Sequence, residues 1–306
     1  MRLPSHQDVL EAAARIKGVI RETPVHSSSA LNRTVSAELF FKCENQQVTA
    51  AFKARGAANA VLGADQALIA AGVATHSSGN HGAALAWAAS LRGVPAFIVV
   101  PRDASPFKRT AITRFGAILI DCGPTLAERE AAVREVVSKT GAHVIPPYDD
   151  ARIIAGQGTA ALELITQVQG LETIVAPVGG GGMVCGTILS AKAGGIRVVA
   201  GEPDLAGDAA ASLKAGVRQP QMTPRTVADG LRTSLGELNF AICKDYGLEI
   251  ILVTEEEILE AQSDLIKALS MPVETSSAVA YAAVRRGRLR GRIGVMITGG
   301  NVAPTE

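Results

Sequence analysis

Short apolar runs and amphipathic segments alternate along most of this chain, and that alternation restricts the fold more than any other feature. The runs lie at residues 39–41, 73–76, 96–100, 117–120, 143–145, 173–176, 197–200, 250–253 and 294–297. Each is too short for a stable helix, and most are bounded by Gly, Pro or Asp. Between them lie helical patterns. Residues 125–140 place Leu126, Val133, Val136 and Val137 among charges and stop at Gly141. Residues 255–270 do the same with Ile258, Leu259, Leu265, Ile266 and Leu269. Strand–helix–strand alternation predicts an α/β fold with parallel strands and crossover helices. Ligands in such sheets bind at the carboxyl ends of strands, where glycine-rich turns lead into helices.

Composition narrows the class. The 306 residues correspond to one large or two modest domains, at roughly 150 residues per domain. Hydrophobic residues make up 47%, enough for a real core, and 30 basic against 29 acidic side chains leave a net charge of +1. That balance argues against nucleic-acid binding, which needs a basic face, and against disorder. Cys43, Cys122, Cys185 and Cys243 lie far apart, with no C-x-x-C pair for zinc or redox work. Residues 1–8 lack the apolar core of a signal peptide. The uncharged stretch 173–191 holds Pro177 and five glycines, so it reads as strand, turn and helix rather than a membrane span. The expectation is a soluble cytoplasmic protein with neither a membrane nor a nucleic-acid partner.

Four turns carry the candidate chemistry. Gly179, Gly180, Gly181 and Gly182 follow a strand and precede a helix. Their amides, with the positive end of that helix, form a cup for an anion. The spacing is neither G-x-G-x-x-G nor a Walker loop, so a phosphate needing no metal and no lysine fits best. The second turn, Ser77-Ser78-Gly79-Asn80-His81-Gly82, suits a carboxylate at a helix N-terminus, although an ordinary N-cap has the same residues. In the third, Lys53 stands in Ala51-Phe52-Lys53-Ala54-Arg55-Gly56, one of only nine lysines. A lysine in an apolar setting loses its proton easily enough to form a Schiff base. Taken alone it reads as a solvated surface residue rather than a Schiff-base former. The fourth turn, Thr298-Gly299-Gly300-Asn301, ends the last strand. Together the four turns supply a lysine, a phosphate cup, a carboxylate cup and a hydroxyl, which is what pyridoxal phosphate requires.

With these motifs the chain resembles the fold type II (β-family) pyridoxal-phosphate enzymes, in the serine/threonine dehydratase and serine racemase branch. The resemblance runs from about Ser5 to Asn301 and includes K-x-E-N at Lys42, A-G-Q-G-T at Ala155, P-V-G-G-G-G-M at Pro177, G-E-P at Gly201 and A-D-G at Ala228. It implies two doubly wound, parallel-type sheets with the cofactor in the cleft between domains. Residues 1–71 plus 142–306 would form the large domain and 72–141 the small one, in a homodimer. Lys53 would carry the cofactor covalently and take the substrate α-proton. Gly179, Gly180, Gly181, Gly182 and Met183 would bind its phosphate, Asn80 its 3-hydroxyl, Thr298 its ring nitrogen, and Phe52 would pack near the ring. Ser77, Ser78, Asn80 and His81 would hold the substrate carboxylate. Ser78 matches the residue that delivers a proton opposite the lysine in the racemase. A hydroxyl rather than an acid at the ring nitrogen makes a weaker electron sink and favours loss of a β-leaving group.

The chain departs from that pattern at Ala50, where Gly is usual, at Thr298, where Ser is usual, and at Thr275, where Pro is common. Glu202 and Asp208, with the Ala206 carbonyl between them, match the family's site for a divalent cation, Mg²⁺, Mn²⁺ or Ca²⁺; alone, two acids six apart read as a solvated loop. With five residues after Asn301, no C-terminal regulatory domain is expected. The leading expectation is an ammonia-lyase that dehydrates a β-hydroxy amino acid, L-threonine or L-serine first. 3-Hydroxyaspartate, an amino-acid racemase and, outside enzymes, a cofactor-free binding module are the alternatives.

Overall fold

The apolar runs pair into two sheets in the computed structural model, which describes residues 2–220 and 223–302. The strands are β1 (Val25–His26), β2 (Glu38–Cys43), β3 (Val73–His76), β4 (Ala96–Pro101), β5 (Ile118–Cys122), β6 (His143–Val144), β7 (Thr173–Pro177), β8 (Arg197–Pro203), β9 (Glu249–Val253) and β10 (Arg292–Ile297). The first sheet has the order β1-β2-β10-β7-β8-β9 and the second β5-β4-β3-β6. All pairings are parallel except β1 with β2, where Val25 faces Lys42. The alternating pattern therefore yields the two doubly wound sheets expected. The two-residue β1 is too short to show any period in the sequence.

Both helix patterns fold where their caps dictate. Thr125 caps Leu126–Thr140 through a capping box with Glu128, and Gly141 ends it at φ 76°. Thr254 and Glu257 start Glu255–Leu269 in the same way.

The segment 72–141 contains three of the four strands of the second sheet, and β6 lies just beyond it. The core of this sheet also takes Ala57, Ala60 and Val61 from the Lys53–Leu62 helix, together with Ile145 and Ile153. That helix is therefore shared between the sheets. Glycine allows its other face to press against the Ala151–Gln167 helix. A Cβ on Gly156 would stand 2.6 Å from Gly56 Cα, and one on Gly186 would stand 2.4 Å from Gly158 N. The Ala151–Gln167 helix thus seats both the lysine helix and the Gly182–Ala191 helix behind the four glycines. Among the described residues no helix is long and apolar enough to cross a membrane.

Candidate active site

Parallel strands bring their carboxyl ends to one edge, and the four turns meet there. The stretch before Lys53 is laced to the turn after β10. Phe52 N donates to Thr298 O at 3.0 Å, Gly300 N to Ala50 O at 2.9 Å, and Asn301 Nδ2 to Thr49 O at 2.9 Å. Ala50 adopts φ 54°, a left-handed conformation that the usual glycine takes without a Cβ penalty. Lys53 then opens its helix, with Nζ donating to Pro147 O at 2.7 Å. Burial pushes this amine down to about 8. The Phe52 ring lies 5.0 Å from it, centroid to Nζ.

Beneath the lysine, the K-x-E-N and F-K-x-R-G motifs build a buried ionic anchor. Arg55 is fully buried and pairs with Glu44 at 2.6 Å and Glu163 at 2.7 Å; Lys42 also reaches Glu163 at 2.7 Å. Two cations face two carboxylates. Removing one partner from such a cluster costs about 3–5 kcal/mol, so it fixes the start of the lysine helix firmly. Glu163 was invisible to motif reading because its partners lie more than 100 residues away in sequence.

Pro147 leads directly into Tyr148, and Tyr148 forms one wall of the glycine cup. A Cβ on Gly180 would stand 2.4 Å from the Tyr148 ring, and one on Gly179 would stand 2.9 Å from Leu231 Cα. Gly181 sits at φ 98°, where a side chain would also strike Asn239. Asn239 Nδ2 donates to Gly180 O at 2.8 Å, and the Tyr148 hydroxyl accepts from Thr233 at 2.8 Å. Bare backbone at the positive end of the Gly182–Ala191 helix is a cradle for an anion. Met183 is buried at its base. A phosphate in the cradle and an aldehyde at Lys53 fit these residues, so the arrangement suits pyridoxal phosphate.

The Ser77–His81 turn starts the Asn80–Arg92 helix, whose first N–H groups have no intrahelical partner. Asn80 Nδ2 stands 3.0 Å from both oxygens of Glu274, and Asn301 Nδ2 donates to Asn80 Oδ1 at 2.8 Å. Burial pushes the Glu274 carboxyl up to about 7. Ser77 and Ser78 are half-buried on the same turn. The His81 ring is buried, with Nε2 3.1 Å from Ile145 O, and burial lowers its pKa to about 3. Its side chain is neutral and buried, and Nδ1 has no hydrogen-bond partner among the described residues. Thr298 Oγ1 lies 3.0 Å from Ser277 Oγ, which also accepts from Gly299 N at 2.8 Å.

The Glu202–Asp208 pair lies behind the glycine cup, where Asp208 holds Leu235, the neighbour of Gly181. Glu202 accepts from Ala209 N at 2.8 Å and Ala210 N at 2.9 Å; Asp208 accepts from Leu235 N at 2.9 Å. Burial raises both carboxyls, Glu202 to about 8, and the Asp208 charge pushes Glu202 the same way. Among the described residues no group of three or more His, Cys, Asp or Glu could hold a metal ion.

The geometry has counterparts among known proteins. The sequence profile of the family described as "Pyridoxal-phosphate dependent enzyme" matches residues 16–299. A beta-hydroxyaspartate dehydratase of Paracoccus denitrificans (strain Pd 1222) is 46% identical over 307 residues, covering 99% of this chain and 98% of its own. The structure of maize serine racemase superposes with a TM-score of 0.96 at 38% identity, over 99% of this chain and 95% of its own. The crystal structure of a T.th. threonine deaminase superposes with a TM-score of 0.94 at 38% identity, over 99% of this chain and 100% of its own. This chain belongs to the pyridoxal-phosphate dependent enzyme family.

Proposed function

We propose that the protein is an ammonia-lyase that dehydrates a β-hydroxy amino acid to a 2-oxo acid and ammonia. 3-Hydroxyaspartate replaces L-threonine and L-serine as the first-choice substrate. The observation that carries the lyase reading is the placement of Lys53. Its side chain is half-buried, burial lowers its amine to about 8, and Pro147 and Tyr148 link it to the glycine cup.

Pyridoxal phosphate, when bound, draws the electron pair of the substrate Cα–H bond. The protein residues supply the rest. The Gly179–Gly182 amides and Met183 N–H hold the phosphate. Lys53 anchors the cofactor and takes the Cα proton. Asn80 and Thr298 orient the ring at its hydroxyl and its nitrogen, with Phe52 alongside. Ser77, Ser78, Asn80 and the His81 N–H hold the α-carboxylate. The Cβ–O bond then breaks and the hydroxyl leaves as water, the proton balanced by the one Lys53 took from Cα; the released enamine tautomerises to an imine, whose hydrolysis gives the 2-oxo acid and ammonia.

The choice of 3-hydroxyaspartate rests on the dehydratase relative, which matches over nearly its full length, and on Arg129. Arg129 Nε is buried with no hydrogen-bond partner among the described residues. Burial lowers the pKa of His76, the residue before Ser77; the Glu130 carboxylate pushes it up and Arg129 pushes it down. A guanidinium there suits a second substrate carboxylate. Racemisation is the second reading, favoured by Ser78 on the carboxylate turn and by the likeness to a serine racemase. Elimination should carry the larger flux.

Glu202, the Ala206 carbonyl and Asp208 would hold a divalent cation, because two buried carboxylates raised together are relieved by positive charge. All four cysteines are unpaired, in keeping with a reducing cytoplasm. A homodimer completes the reading, and sedimentation velocity tests it.

The deciding experiment is a panel of 3-hydroxyaspartate, threonine and serine stereoisomers, with 2-oxo acid and D-isomer quantified. Borohydride reduction with peptide mapping should place the pyridoxyl label on Lys53. Label on another lysine, or no oxo acid from any substrate, would overturn the reading.

A further inference from the structure

Among the described residues, one ion pair joins residues 73–144, the span of the second sheet, to the rest of the molecule. Lys108 Nζ stands 2.6 Å from Asp229 Oδ2. Both ends are anchored. The Asp229 turn is fixed by Gly230 N, which donates to Ser276 Oγ at 2.9 Å, and by Leu231, which backs Gly179 of the glycine cup. Lys108 lies in the first turn of the Pro106–Thr113 helix, where a cation opposes the helix dipole. The Asp229 carboxylate offsets that placement. One turn further on, Ile112 packs against Gly82: a Cβ there would stand 3.2 Å from Ile112 Cδ1. Gly82 directly follows Asn80 and His81 in the Asn80–Arg92 helix. Contacts therefore run from Asp229 through Lys108, Ile112 and Gly82 to Asn80.

We propose that the Lys108–Asp229 pair is a tie across the cleft that positions the Ser77–His81 turn over the cofactor site, with Lys108 as a positioning residue. The inference rests on the function proposed above only for where cofactor and substrate sit. Glu274, which holds Asn80, lies within electrostatic reach of both partners, although burial affects its carboxyl more. The two side chains are 39% and 43% exposed, so salt screens the tie.

Trp87 is the only tryptophan and lies on the helix that the turn begins, so energy transfer from Trp87 to bound cofactor reports the position of that helix. In the wild-type holoenzyme, raising NaCl from about 50 to about 500 mM should shift the transfer as screening weakens the tie. Lys108→Ala and Lys108→Gln should start at the high-salt value and ignore salt. The exchanged pair, Lys108→Asp with Asp229→Lys, should regain the salt response. The single variants should raise KM for 3-hydroxyaspartate about two- to fivefold, with a smaller change in kcat. Wild-type transfer and salt response in both single variants, or no recovery in the exchanged pair, would overturn the tie. Wild-type enzyme that makes no oxo acid would instead defeat the proposed function and leave the energy-transfer comparison standing.

Discussion

The Glu274 carboxylate receives the Asn80 side chain with both of its oxygens, Nδ2 standing 3.0 Å from each, and takes Asn301 N at 2.8 Å on Oε1. One buried acid therefore fixes the Ser77–His81 turn to the end of β10. Glu274→Gln keeps the shape but presents an NH₂ to another NH₂. Losing a hydrogen bond to a charged group costs about 1.5–3 kcal/mol, so kcat/KM should fall roughly ten- to hundredfold. Burial raises Glu274 to about 7. The wild-type kcat/KM profile should accordingly show an acid limb near that pH, and Glu274→Gln should lack it.

In the proposed function Lys53 binds the cofactor as the free amine. Burial lowers its pKa from 10.5 to about 8. In the cofactor-free protein, the rate of pyridoxal-phosphate attachment should climb with pH and level off above about 8. A solvated lysine would keep climbing towards 10.5. The sign for stability follows: the native chain holds fewer protons than the unfolded one between 8 and 10.5, so this group adds stability as pH rises through that window. A midpoint near 10.5 in stopped-flow absorbance would show that the amine is not desolvated.

Gly180→Ala drives a methyl group into the Tyr148 ring, 2.4 Å away. Overpacking costs about 1–3 kcal/mol, so cofactor affinity should drop by about five- to hundredfold. Removing the ring makes room, so Gly180→Ala with Tyr148→Ala should bind cofactor better than Gly180→Ala alone. Equilibrium titration of the cofactor absorbance band measures both; equal affinities would exclude the clash as the cause.

Ser78 and Lys53 are assigned to opposite faces of Cα. Ser78→Ala should abolish D-isomer formation while 2-oxo acid is still produced from the L-substrate. Chiral chromatography beside an oxo-acid assay separates the two fluxes. D-serine accumulating from L-serine faster than oxo acid in the wild type would reverse the order of elimination and racemisation.

Glu202 keeps a proton in the folded chain that the unfolded chain releases between 4.5 and about 8. Stability therefore falls as pH rises through that window, and Asp208, also raised, adds in the same direction. A cation bound there, as proposed, would remove the cost of the charged forms. After chelation, added Mg²⁺ or Mn²⁺ should raise Tm more at about pH 8 than at about pH 6, and Glu202→Gln should flatten both effects. An identical Tm with and without cation at both pH values would exclude the site.

Local sequence determined much of this protein. Apolar runs placed β2 to β10, because a strand or helix is specified by the spacing of its own side chains. Thr125, Gly141 and Thr254 set helix ends through contacts a few residues away. The four glycines, Lys53 and the Ser77–His81 turn were legible as motifs, since each needs unusual residues in a row. What those residues meet was decided by the tertiary structure. Lys53 touches Pro147 across 94 positions and Asn80 touches Glu274 across 194, distances over which no periodicity persists. Tyr148 walls the glycine cup, Glu163 completes the anchor under Lys53, and Lys108 meets Asp229 for the same reason: the parallel sheets stack distant chain segments at one edge. The amine near 8 at Lys53 is likewise no property of its neighbours in sequence, because desolvation exists only once the two sheets have closed around it.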